Sequence, residues 1–102
     1  EVAFLSGVLT LVIILNYWKI ILIKLADNNC KKGNYEKAHK YTNKVLKKEE
    51  NNIPALIKET EIYKKEENYQ KAINICNNIL KIQLYYPEIE ELKKELEKEI
   101  KK

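Results

Sequence analysis

Hydrophobic and polar positions fall into two regimes along the chain. From Val2 to Trp18 no residue carries a charge, and apolar side chains would cover every face of a helix. From Lys19 onward charged residues recur every few positions and apolar residues stand three and four apart, the pattern of helices with one buried face. The expected fold is all-α: an N-terminal transmembrane helix followed by a short array of amphipathic helices.

The uncharged run of 17 residues, continued as Ile20–Ile23 after Lys19, would reach about 26 Å to Trp18 and about 33 Å to Ile23 as a helix. A bilayer core is about 30 Å thick, so residues 1–23 are expected to form a membrane anchor that continues into the first helical pair. Tyr17, Trp18 and Lys19 fit the water–lipid interface, with amphipathic rings at headgroup depth and an ammonium reaching outward. A signal peptide would need a basic leading region, and this sequence opens on Glu1. A helix packed inside a larger assembly carries the same pattern and remains an alternative. Residues 19–48 hold nine lysines against Asp27 and Glu36. By the positive-inside rule the rest of the chain then faces the cytoplasm, as in a single-pass membrane protein.

Residues 19–52 laid over 53–86 without a gap match at 11 of 34 positions. The densest matches are GNYEKA at 33–38 and ENYQKA at 67–72. The period of 34 and the turn-Tyr-x-x-Ala pattern resemble the tetratricopeptide repeat, a helix–turn–helix unit. That resemblance implies a two-repeat solenoid, 19–52 and 53–86, with a capping helix over 87–102. It also implies helix packing through Leu22, Leu25, Ala26, Ala38, Val45 and Leu46 in the first copy. The counterparts in the second are Leu56, Thr60, Tyr63, Ala72, Ile79 and Leu80. Glu59 replaces the family's Leu and Asn29 its aromatic, and both are expected to weaken packing locally.

The residues support the same layout on physical grounds. Gly33 can end a helix in the left-handed region, and Asn34 and Asn68 can cap the helices that follow. Ala38 and Ala72 allow close helix crossings, and Pro54 suits a first helical turn. Cys76 belongs to an apolar stripe with Ile73, Ile79 and Leu80. In 87–102 the stripe is Ile89, Leu92, Leu96 and Ile100. Two heptads are too few to argue for a coiled coil there.

Candidate chemistry is sparse. The basic residues are 19 lysines with no arginine, and no aromatic residues interleave a basic patch, which argues against nucleic-acid binding. Cys30 and Cys76 form no metal-ligand or disulfide pattern, and His39 stands as the only histidine. No phosphate loop or nucleophile–base set is present, so neither an enzyme, a cofactor nor a small-molecule substrate is expected.

The expected function is a membrane-anchored scaffold or adaptor. Lys24, Asp27 and Lys31 stand at i, i+3 and i+7, and Lys58, Glu61 and Lys65 repeat the pattern 34 residues later. In tetratricopeptide relatives this part of the helix faces a concave groove, which implies a protein or peptide partner of acidic or mixed charge. Lys24 and Lys31 could equally attract lipid headgroups. The family's clamp for C-terminal carboxylates uses a Lys and an Asn four apart. Ile23 and Asp27 stand there instead, so no such clamp is expected. The alternative function is a structural accessory subunit of a membrane complex, with the apolar helix packed on protein.

Overall fold

The computed structural model describes the backbone of residues 2–102 and the side chains from Leu5 onward; Glu1, first residue of the expected anchor, lies outside the described residues. Five helices follow one another: α1 (Val2–Lys31), α2 (Tyr35–Lys48), α3 (Ile53–Lys65), α4 (Tyr69–Ile82) and α5 (Pro87–Lys101). Among the described residues there is no strand. The two helix starts that follow the Asn-Tyr turns, Tyr35 and Tyr69, are 34 residues apart, as are Ile53 and Pro87.

Each turn is made by local chemistry. After α1, Gly33 adopts φ +83°, so Gly33 N–H donates to Cys30 O at 3.0 Å and Asn34 N–H to Asn29 O at 2.8 Å. This pair of bonds satisfies carbonyls that the helix end leaves open. The turn after α3 repeats it: Glu67 N–H donates to Lys64 O at 3.0 Å and Asn68 N–H to Tyr63 O at 2.9 Å. Here the left-handed position is held by Glu67, φ 62°. For a residue with a Cβ that conformation costs roughly 1–2 kcal/mol, part of which glycine's larger loss of chain freedom would offset. Glu67→Gly should therefore raise stability by about 0.5–1 kcal/mol. A higher urea midpoint with an unchanged slope is the measurement to make.

The capping expectations hold unevenly. Asn52 caps α3 by accepting from Ala55 N–H at 3.0 Å, with Pro54 in the first turn. Asn68 accepts from Lys71 N–H only at 3.5 Å, and the Asn34 side chain makes no capping bond at all. At Asn34 the ψ of 69° lies well short of the extended values usual for a cap, and the side chain does not engage its helix.

Consecutive helices pack on each other, and α1 also packs on α3. Ala38 and Ala72 are fully buried, as their lack of bulk led us to expect, and Ala26, Val45, Thr60 and Ile79 are buried with them. One core cluster joins α1, α2 and α3 through Ala26, Cys30, Ala38 and Ile62. A second joins α3, α4 and α5 through Leu56, Ala72, Ile73, Cys76, Ile79, Ile89 and Leu96. Ile100 is the exception to the expected α5 stripe: it is exposed.

Candidate groove and apolar end

Helix directions decide which side chains meet. His39 and Thr42 of α2 contact Glu66 and Glu59 of α3 in reverse order, so α2 and α3 run antiparallel. Asp27 of α1 meets Lys58 of α3, and Lys64 of α3 faces Glu95 of α5 at 3.9 Å. The odd-numbered helices thus lie side by side on one face.

That face is a concavity of about 970 Å³. Helix α1 contributes Asp27, Cys30 and Lys31; α3 contributes Glu61, Lys64 and Lys65; α5 contributes Glu95, Leu96, Lys98, Glu99 and Lys102. Glu67, in the α3–α4 turn, and Tyr35 and Tyr69, first residues of α2 and α4, close one end. Five lysines and five carboxylates line it, so its charge is balanced.

Four of the six residues singled out by the repeat lie on this lining: Asp27, Lys31, Glu61 and Lys65. Lys58 does not reach into the concavity. Its ammonium bridges Asp27 at 2.9 Å and Glu61 at 2.6 Å, tying α1 to α3. Burial alone would lower the Lys58 pKa, but these two carboxylates outweigh it and raise it. Lys58, with Lys31 at 3.0 Å, holds the Asp27 pKa below the ordinary carboxylate value. Lys24 is exposed and lines no part of the groove.

A second polar cluster was not foreseen. Glu59, expected to weaken packing, is 4% exposed and is met by both α2 side chains that face it. His39 Nδ1 lies 2.8 Å from its carboxylate, Thr42 Oγ1 donates to it, and His39 Nε2 reaches Glu66. The imidazole also stacks on Tyr63, ring centroids 4.3 Å apart. Burial alone would lower the His39 pKa; the hydrogen bonds to Glu59 and Glu66 prevail and raise it above 6.5. His39 thus serves as a bridge between helices. The other departure, Asn29, donates from its amide to Leu25 O at 2.8 Å.

At the opposite end of α1 every described side chain from Leu5 to Tyr17 is exposed. By length and composition, this helix is long and apolar enough to cross a membrane. Two of its polar side chains bond back to the helix: Thr10 donates to Ser6 O at 2.9 Å and Asn16 to Val12 O at 2.8 Å. Packing starts at Trp18, whose ring carries the Lys48 ammonium 5.1 Å from its centroid. Lys19 pairs with Glu49 at 2.6 Å, while Tyr17 stays exposed. The charged end of α2 therefore lies against residues 18–19, and beyond Tyr17 one face of α1 is covered while Ile20 and Ile21 stay exposed. No protein-family model matches this chain, and neither a curated protein nor a solved structure matches it.

Proposed function

We propose that the chain is a membrane-anchored adaptor. In this reading the clear part of α1 crosses a bilayer, with Tyr17, Trp18 and Lys19 at its edge. The remaining helices form a tetratricopeptide-like solenoid whose groove, on the cytoplasmic side, binds a protein segment. The balanced, interleaved charge of the α1–α3–α5 concavity carries the proposal. It favours a segment of mixed charge over a strictly acidic one, because an acidic strand would meet as many carboxylates as ammonium groups. The lysine-rich flank from Lys19 to Lys48 supports the orientation.

The test must use groove residues that do not hold the fold together. Reversing Lys58 would set three carboxylates against each other and disturb α1–α3 packing whatever the groove binds. Lys65 and Lys98 line the concavity and are in no ion pair among the described residues. The double variant Lys65→Glu/Lys98→Glu should lose at least about tenfold in partner capture, near 1.4 kcal/mol. The comparison is affinity recovery from mild detergent against the parent chain, with Lys40→Glu/Lys44→Glu on exposed α2 positions as control. Equal recovery by both variants would refute the groove as the binding surface.

A further inference from the structure

Outside α1, the exposed large hydrophobic side chains among the described residues are Ile82, Leu84, Tyr85 and Ile100. Three of these four fall in the four-residue stretch that ends α4 and leads to α5. Leu84 is 83% and Tyr85 78% exposed, so neither contributes to the core. The turn is held without them: Gln83 N–H donates to Ile79 O at 2.8 Å and Ile89 N–H to Tyr86 O at 3.1 Å.

The position of this turn follows from contacts already described. Glu49, at the end of α2, touches Lys19, so the α2–α3 turn lies at the end from which the clear part of α1 projects. Lys71 of α4 lies over Tyr63 of α3, and further along α4 Cys76 faces Thr60. Helix α4 therefore runs antiparallel to α3 and finishes beside its start. The α4–α5 turn thus sits at the same end of the bundle as the bare apolar helix, and the α1–α2 turn at Lys32–Asn34 sits at the other.

We propose that the α4–α5 turn is a second bilayer contact, with Leu84, Tyr85 and Ile82 seated in the interfacial layer of the membrane that holds α1. The inference rests on the membrane reading of α1. A tyrosine beside aliphatic side chains at a turn suits that layer, where the ring is buried, its hydroxyl stays wet and headgroups or water satisfy the turn's open backbone groups. Charge does not drive the contact. Lys81 is exposed beside the turn, but exposed Glu88, Glu90 and Glu91 in the first turns of α5 face the same end. Anionic lipid is therefore not required. Two points of attachment would fix the tilt of the bundle and hold the groove at a set angle to the bilayer.

The test uses the full chain with a nitroxide on a single introduced cysteine, at Leu84→Cys, Leu9→Cys or Lys32→Cys. Both native thiols are buried, and the parent chain checks that they stay unlabelled. Each variant is reconstituted into phosphatidylcholine vesicles, with and without phosphatidylserine. Collision rates with oxygen, which concentrates in lipid, are compared with those of a water-soluble nickel chelate. Oxygen should exceed nickel several-fold at Leu9 and Leu84 and fall below it at Lys32, with the Leu84 ratio the same in both lipid mixtures. If Leu84 behaves like Lys32 while Leu9 remains in lipid, the second contact is refuted and the anchor stands. A water-exposed Leu9 refutes the anchor, and this inference with it. Shielding of Leu84 from both reagents assigns the turn to a protein contact, and a lipid signal that needs phosphatidylserine assigns it to Lys81; either overturns the proposal.

Discussion

Replacing His39 with isoleucine should cost about 3 kcal/mol of folding stability, and adding Glu59→Leu to the same chain should return most of it. The single change leaves a carboxylate that is 4% exposed facing an apolar side chain, with Thr42 as its one remaining partner. A charge stranded in this way is far costlier than the pair is favourable, because the pair has already offset much of its own desolvation. The double variant removes both charges together. The repeat suggests that the space suits it: Ile73 holds the position equivalent to His39, and Leu25 that equivalent to Glu59. Glu59→Leu alone should cost less, about 1–2 kcal/mol, since His39 keeps its bond to Glu66 and remains partly open to water. Urea unfolding of all four chains in mild detergent gives the coupling as a double-mutant cycle. Additive losses would show that His39 and Glu59 do not act as a pair.

The same cluster sets a pH dependence. Its neighbours are Glu59, Glu66 and Tyr63 on α3, with Lys71 of α4 over the Tyr63 ring. His39 has a folded pKa above its ordinary 6.5. The folded chain then holds the proton more tightly than the unfolded one, so the stabilisation is complete below about pH 6.5 and fades as pH rises through the folded value. Asp27 has the opposite sign: its pKa is lowered, and its contribution is present above about pH 4 and lost as pH falls. Stability should therefore peak on the acid side of neutrality. The decline above that peak should vanish in His39→Ile/Glu59→Leu.

Much of this fold is legible in the chain because a turn is a local event. Gly33 and the two Asn-Tyr sequences mark where helices stop and start, and the spacing of Ala38 and Ala72 marks where they cross. The groove is legible in part. The lysine–acid rows of α1 and α3 stand at one helical face, but which lysine is used up in a bridge depends on how the two helices rotate against each other. Spacing within a helix does not carry that information, so Lys58 looked equivalent to Lys65. The α5 contribution escapes for the same reason, since the apolar stripe of 87–102 marks its buried face but not which of its charged residues turn toward α3. The His39–Glu59 pair left a trace that could have been followed. Where the repeat has isoleucine and leucine, the chain substitutes a base and an acid, and two departures of complementary charge suggest a contact more readily than two independent losses of packing.

Placing aspartate at both Leu9 and Val12 should release the protein from the membrane while leaving the helical bundle intact. The two positions stand at i and i+3, near the middle of the stretch that the bundle leaves clear. From Leu5 to Tyr17 the described side chains are all exposed and uncharged, so a carboxylate placed there has no protein cation to offset its transfer into lipid. One aspartate at the centre of a spanning helix costs about 2.5–3.5 kcal/mol, and two together shift the partition by about four orders of magnitude. The parent chain should stay with the pellet after alkaline carbonate washing, and Leu9→Asp/Val12→Asp should appear in the supernatant. No described side chain between Leu5 and Tyr17 is buried, so hydrogen exchange in α2–α5 should be unchanged. A parent chain that washes free would mean that the apolar helix is not embedded in lipid. If the double variant stays in the pellet instead, protein neighbours hold the helix, and the accessory-subunit reading displaces the anchor.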